Sequence, residues 1–241
     1  MEREKQEYIK KEFKKIDIIL SEKQISQFEM YYELLIEKNK VMNLTAITEF
    51  REVVQKHFID SVMIHKLTKP QKGEYWLDLG TGAGFPGIPL KIVYPEADFL
   101  LLDSLNKRIL FLNEVIEKTG LEGIHAIHGR AEELAKKQEY REKFDYCVSR
   151  AVANLASLSE YCLPFVRVGG CFIPYKSGKI KDEIKESEKA VRILGGVIEE
   201  QADFILPDSD IQRSLLKIRK QSVTPKKYPR KAGTPAKEPI R

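Results

Sequence analysis

An open, doubly wound α/β sheet carrying a helical extension at its N-terminus is the fold class this sequence predicts, on three observations. From Tyr75 onward, short apolar segments alternate with amphipathic ones of helical length. A glycine-rich turn, Gly80-Thr-Gly-Ala-Gly84, follows the first apolar segment directly. Before Tyr75, apolar residues recur only with a helical period. The 241 residues suit one mid-sized domain with an appendage, or two small domains. A hydrophobic content of 42% against 32% charged residues supplies a core and carries no signature of disorder.

The elements follow in order. Phe28, Tyr31, Tyr32, Leu35 and Ile36 fall at i, i+3, i+4, i+7 and i+8, the stripe of a buried helix, with Ser21 as its upstream cap. A turn is expected around Asn43-Leu-Thr, then a helix capped by Thr48 and Glu49 that contains Val53 and Val54, with more helix through Ile64 and Leu67. The polar stretch 68–74 closes a helical region, residues 1–68. Beyond it, strands are expected at Tyr75–Leu79, Phe99–Asp103, Ile124–His128, Phe144–Ser149 and Cys171–Tyr175. Helices are expected from the glycine turn to Tyr94, at Asn106–Thr119, around 132–141, at Leu155–Val166 and at Lys179–Leu194. Val197–Leu206 and Leu215–Arg219 read as late strands pairing as an antiparallel edge. Single helices between strands imply a parallel sheet with helices on both faces, and such sheets bind ligands beyond the carboxyl ends of their strands. The sheet domain is placed at 69–222 and a C-terminal tail at 223–241.

Charge is unevenly spread. The net +5 conceals a C-terminal end, Arg213–Arg241, with ten Lys/Arg and one acid, Glu238, while the rest of the chain is mildly acidic. That end also holds Tyr228, Gly233 and four prolines, which exclude a regular helix and suggest an extended basic strap over a phosphate backbone. Arg213, Lys217 and Arg219 alternate on the last strand and so share one side, a basic stripe beside the strap. Cys147, Cys162 and Cys171 form no C-x-x-C pair, which argues against a disulfide scaffold or a zinc knuckle. The charged N-terminus lacks the apolar stretch of a secretory signal, and no apolar run spans a bilayer. A cytoplasmic protein with no membrane partner is expected, acting as a monomer.

The glycine turn points to a nucleotide-like cofactor, because glycines at alternate positions let the backbone turn sharply and approach a ligand. Gly82-x-Gly84-x-x-Gly87 matches a dinucleotide fingerprint, with Asp103 where a ribose-binding acid is expected. The D-x-G-x-G-x-G form, beginning at Asp78, fits S-adenosylmethionine equally. No hydride-transfer domain follows, which weighs against a nicotinamide oxidoreductase. A third possibility is a non-catalytic RNA-binding or ribosome-assembly protein.

NLTAIT (43–48), HFIDS (57–61), DLGTGAGFPGIPLKI (78–92), LLDSLNKR (101–108), GRAEE (129–133), SRAVA (149–153), YK (175–176) and KKYPRKAGTPAKEPI (226–240) occur in this order. Together they resemble the bacterial 16S ribosomal RNA guanine-N7 methyltransferases, also called glucose-inhibited division protein B, from about residue 24 onward. The resemblance implies a Rossmann-like class I methyltransferase sheet and a cytoplasmic enzyme. Its reaction moves a methyl group from S-adenosylmethionine to N7 of a guanine in the decoding-region loop of small-subunit rRNA, free or in the small subunit. It also implies cofactor contacts at Gly80, Gly82, Phe85, Asp103, Ala131 and Glu132, with Arg150 beside cofactor and target base.

The residue types agree with those roles. A carboxylate at the end of a strand, Asp103, can accept from two ribose hydroxyls, though Asp before a helix is also a common cap; Ser104 adjoins it. Asp78 either orders the glycine turn or reaches the methionine amino group through water. Glu132 either flanks the adenine edge or is an exposed acid in a first helical turn. Guanine N7 carries no proton, so the reaction needs no general base, and positioning supplies the acceleration. Arg150 follows the strand FDYCVS and lies at the carboxyl edge, where it can stack on a base or grip a phosphate. Tyr175 and Lys176 end the next strand and, with Arg213, Lys226, Lys227, Arg230 and Lys231, are the candidate RNA contacts; Tyr175 could equally be core. His57 and Asp60 are read as cleft wall or an interdomain hydrogen bond. His65, His125 and His128 show no metal-ligand spacing, and no metal is expected.

Overall fold

The computed structural model describes residues 2–150, 153–178 and 180–241. Its strands are β1 (Tyr75–Leu79), β2 (Asp98–Asp103), β3 (Ile124–His128), β4 (Phe144–Ser149), β5 (Val166–Ser177), β6 (Gly196–Ile205) and β7 (Gln212–Lys220). They form one seven-stranded sheet in the order β3-β2-β1-β4-β5-β7-β6. The first five strands pair in parallel, whereas β7 is antiparallel to both β5 and β6. The late strands therefore do form an antiparallel pair, with β7 inserted next to β5 and β6 outermost. Strand order reverses between β1 and β4, so their carboxyl ends flank the crevice where such sheets take ligands.

Before the sheet come α1 (Glu2–Lys14), α2 (Glu22–Met42) and an irregular helical run made of α3 (Phe50–Val53), a π-turn segment (Val54–Ile59), α4 (Asp60–Val62) and a 3₁₀ turn (Met63–Lys66). Ser21 caps α2 as expected: its hydroxyl accepts from the Gln24 N–H while the Gln24 amide accepts from the Ser21 N–H. The same Gln24 amide donates to Ile92 O at 2.7 Å, so the cap also pins α2 to the last turn of the helix at Gly87–Val93. Glu49 caps α3 by accepting from Glu52 N–H. The strand-connecting helices are α5 (Gly87–Val93), α6 (Asn106–Thr119), α7 (Ala131–Leu134), α8 (Leu155–Cys162) and α9 (Lys181–Ile193); α10 (Thr234–Lys237) lies in the strap.

Alternation along the strands sends side chains to two apolar layers. Trp76, Phe99, Leu101, Val148 and Ile173 pack with the N-terminal helices and α5 and α6, through Ile9, Phe13, Phe28, Tyr31 and Phe58. Leu77, Leu100, Leu102, Cys147 and Phe172 pack with α8 and α9, together with Tyr228 from the strap. Each fully buried aromatic contributes about 2–3 kcal/mol by leaving water. The extension and the strap thus cover opposite faces of one sheet.

Three boundaries differ from expectation. The helix expected at Leu155–Val166 ends at Cys162 and passes through a 3₁₀ turn, Leu163–Phe165, where Pro164 removes a donor. β5 then starts at Val166, five residues earlier than expected, and its register against β4 shifts between Phe144 and Tyr146. The helix expected around 132–141 forms only as Ala131–Leu134, and the segment after it closes as turns. Lys179, the expected start of the late helix, and Ala151 and Val152 of the SRAVA segment lie outside the described residues.

Candidate active site

The glycine turn is built from below. Gly80 and Thr81 N–H both donate to Leu102 O, and Gly80, Gly82 and Gly84 have φ of +73°, +62° and +104°. At Gly84 the requirement is doubled, since a Cβ would meet Ile88 Cδ1 at 2.6 Å and Tyr31 Oη at 2.8 Å. Tyr31 comes from α2 and donates its hydroxyl to Ala83 O at 2.6 Å, so the N-terminal extension holds the turn from outside the sheet. Asp78 holds it from within: Oδ2 accepts from Thr81 Oγ1 at 2.6 Å and from Gly87 N–H at 2.8 Å. Its Oδ1 is buried without a partner, and burial pushes the carboxyl up to about 7. An orphaned buried acceptor next to a glycine turn suits a cationic donor such as an amino group.

A cleft of about 510 Å³ opens at the carboxyl ends of β1, β2 and β3, walled by Gly80, Asp103, Ser104, Ala131, Glu132 and Tyr161 among others. Asp103 does not cap α6, whose N-cap is Leu105 without a side-chain bond. It orders the loop, accepting from Gly82 N–H and Leu105 N–H at 2.9 Å each and pairing with Arg108 at 3.1 Å, and it still lines the cleft. Glu132 lines the cleft too, but it is buried rather than exposed, and Oε1 accepts from Gly233 N–H of the strap at 3.0 Å. These donors and acceptors fit a nucleoside whose ribose meets Asp103.

Asp78, Gly82, Phe85 and Arg150 are not in that wall. Phe85 points the other way, under a second cleft of about 440 Å³ walled by Lys56, His57, Asp60, Arg150, Tyr175, Lys176 and Arg213. Its ring stacks on His57 with centroids 4.5 Å apart, and the Arg150 guanidinium sits 5.0 Å above it. Arg150 donates to Asp60 Oδ2 at 3.1 Å, to Lys56 O at 3.2 Å and to His57 Nδ1 at 3.2 Å. A guanidinium only donates, so Nδ1 is the acceptor and the His57 proton sits on Nε2, facing Thr45 Oγ1 at 2.8 Å. Burial and the Arg150 cation push His57 down to about 3, so it is neutral in the fold. Asp60 also accepts from Arg213 Nε at 3.0 Å and bridges two guanidiniums. His57 and Asp60 are therefore both cleft wall and hydrogen-bond partners of the segment after β4, with Arg150 as the shared donor.

Several expected RNA contacts have internal work. Tyr175 is buried and donates to Ser61 O at 2.5 Å; Lys176 pairs with Glu183 at 2.6 Å. Arg230 grips the fully buried Glu160 through Nε and Nη2 at 2.6–3.1 Å. The strap is accordingly docked, not loose. The basic stripe is also neutralised on its own sheet, with Lys217 near Glu200 and Arg219 paired to Glu199. Lys226, Lys227 and Lys231 remain exposed. Sequence reasoning missed Tyr31, Thr45 and Glu160. Tyr31 carried only the signal of a core stripe, whereas Thr45 sits in NLTAIT and is fixed by the Asn39 amide, which bonds both its N–H and its C=O at 2.9 Å.

Among the described residues no group of His, Cys, Asp and Glu is arranged to hold a metal ion. No described helix is long and apolar enough to cross a membrane. All three cysteines are buried and unbridged.

Comparison with solved structures shows the same fold. M. jannaschii TYW2 in complex with AdoMet superposes with a TM-score of 0.55 at 12% identity, over 73% of this chain and 79% of that one. The Methanococcus jannaschii fibrillarin pre-rRNA processing protein gives 0.51 at 15%, over 65% and 70%. The sheet is the class I methyltransferase sheet. Sequence relatives are much nearer. The ribosomal RNA small subunit methyltransferase G of Lachnoclostridium phytofermentans is 59% identical over 92% of this chain and 91% of its own. That of Clostridium novyi is 51% identical over 93% of each. With residues 24–210 matching GidB, rRNA small subunit methyltransferase G, across the glycine turn, the first cleft, His57, Asp60 and Arg150, the chain belongs to that methyltransferase family.

Proposed function

We propose that this enzyme methylates N7 of a guanine in small-subunit (16S) rRNA, using S-adenosylmethionine as donor, in the decoding-region loop. Family membership sets aside the nicotinamide oxidoreductase and the non-catalytic alternatives. A ribosomal RNA substrate fits a cytoplasmic enzyme, and described residues of a single chain line each cleft, which fits a monomer.

The observation that carries the reading is the pair of clefts on either side of the glycine turn, with Phe85 and Arg150 on the acceptor side. Gly80, Asp103, Ser104, Ala131 and Glu132 would hold the nucleoside, with Asp78 toward the amino end. When bound, S-adenosylmethionine supplies an electrophilic methyl group on a sulfonium. Every other contribution is the chain's own. Asp103 accepts from hydroxyls, and the rigid turn fixes where the cofactor can lie. Arg150 is oriented by Asp60 and by neutral His57, leaving its guanidinium plane over Phe85 to position a base or its phosphate. No group in the second cleft has to move a proton. Lys56 and Arg213 add positive charge for the phosphate chain, and Lys226, Lys227 and Lys231 extend that charge along the strap.

The test combines calorimetric titration with S-adenosylmethionine and mapping of the modified nucleotide after incubation with 30S subunits or free rRNA lacking the methyl group. Binding together with a single methylated guanine supports the reading. Binding with methylation at another atom would leave the donor and refute the acceptor.

A further inference from the structure

α7 and α8 stand between the nucleoside cleft and the strap, and each has contacts on both sides. Toward the cleft they present Ala131, Glu132, Leu158 and Tyr161. Toward the strap, Glu132 accepts from Gly233 N–H at 3.0 Å and Ser157 donates to Pro235 O at 2.6 Å. Glu160, fully buried, accepts from Arg230 N–H at 2.8 Å, Nε at 2.9 Å and Nη2 at 2.6 Å. The same Nη2 donates to Glu238 O at 2.7 Å, folding the end of the strap back on itself. Upstream, Arg141 donates to Thr224 O at 2.7 Å and Tyr228 O at 3.0 Å. Glu132 and Tyr161 are shared by both faces: each walls the cleft and each meets the strap, Glu132 at Gly233 N–H and Tyr161 at the Ala236 backbone.

We propose that the docked strap is a positioning element of the nucleoside cleft, fixing Glu132 and α8 through Gly233 and Arg230. Strap docking and nucleoside binding are then one coupled equilibrium. The proposal rests on the reading that this cleft takes the cofactor. An undocked strap leaves Glu132 free to turn into the cleft or into water, and leaves Glu160 buried without its cation. A ligand that needs Glu132 in place must favour the docked strap, and by linkage the docked strap must favour the ligand. Because Lys226, Lys227 and Lys231 on the same segment are exposed, the polyanionic substrate has a hold on the wall of the cofactor site.

The experiment is amide hydrogen exchange on the full chain, with and without saturating S-adenosylhomocysteine, read over residues 226–240 and over the strands. Exchange in the strap should slow by about tenfold on saturation. A second arm uses the double variant Glu160→Gln/Arg230→Gln, which removes both charges together and leaves no buried ion unpaired. Its strap should exchange faster and its S-adenosylhomocysteine affinity should fall by about tenfold, with strand exchange unchanged. A strap whose exchange ignores saturating ligand overturns the proposal, as does a loosened strap with wild-type affinity. If the variant does not fold, the wild-type comparison decides alone. A wild-type chain that binds no S-adenosylhomocysteine refutes the cofactor reading, an outcome distinct from binding without a response in the strap.

Discussion

Asp60 carries two guanidiniums, so removing one leaves the other. Arg150→Ala therefore keeps a paired carboxylate and should keep the fold. It should lower kcat/KM on ribosomal substrate by about 100-fold, close to 2.7 kcal/mol of transition-state positioning. Near wild-type turnover with an unchanged melting curve would remove Arg150 from the mechanism. Asp78 offers a sharper test. Asn at 78 can still accept from Thr81 and Gly87 but presents no negative charge to an amino group. Asp78→Asn should weaken S-adenosylmethionine by about tenfold or more, the worth of one charge-assisted hydrogen bond. The pH dependence has a definite sign. With its carboxyl near 7 in the free fold, Asp78 is progressively protonated below that pH, so cofactor affinity should fall as pH drops through 7. For stability, a raised carboxyl contributes most below its unfolded value near 3.8 and loses that contribution as pH rises through 7. His57, lowered to about 3, acts in the opposite sense: its contribution is present above 6.5 and is lost as pH falls from 6.5 toward 3. Thermal unfolding of wild type against His57→Gln from pH 4 to 8 checks the second slope, which should flatten in the variant.

At the scale of elements, the N-terminal extension earns its place through Tyr31. Tyr31→Phe removes only the hydroxyl that bonds Ala83 O, a cost of about 1 kcal/mol, yet it loosens the turn that the cofactor needs. Cofactor affinity should drop several-fold while melting shifts by only a few degrees; an unchanged affinity would mean that the turn is rigid without α2. This link shows what a sequence can and cannot reveal. The strands were legible because each is a short apolar run bounded by turn chemistry, and α2 because the Ser21–Gln24 cap is a local signal. The late antiparallel pair was legible from two adjacent apolar runs, but the insertion of β7 between β5 and β6 depends on pairing across the sheet. Arg150 was visible as a strand-end cation. Its partners Asp60 and His57, some ninety residues earlier, were not assignable to it, because only the packed fold brings the π-turn segment over β4. The docking of the strap was hidden for the same reason: composition reveals basic and irregular chain, whereas Glu160 lies 70 residues from Arg230.

Across the whole molecule, cations divide into those held by carboxylates of the fold, Arg150 and Arg213 among them on the wall of the second cleft, and those exposed to solvent. Arg150, Arg213, Lys176 and Arg230 are paired with carboxylates, and Lys220 is buried against Glu142, Thr224 and backbone carbonyls, where burial lowers it to about 8. Lys226, Lys227 and Lys231 stay in solvent on the docked strap, so they are the better candidates for sequence-independent grip on phosphates. Each phosphate contact to single-stranded RNA adds about 0.7 to the slope of log affinity against log salt. Replacing all three by alanine should therefore flatten that slope by about 2, weaken rRNA binding most at low salt, and leave S-adenosylhomocysteine affinity as it was, because none of the three lines the nucleoside cleft. Filter binding of small-subunit rRNA across a salt series, beside calorimetry of the nucleoside, separates the two quantities. An unchanged slope would move the RNA grip to the second cleft, whose wall carries Lys56 and Arg213 beside Arg150, the Lys56 Nζ being already shared with Glu52.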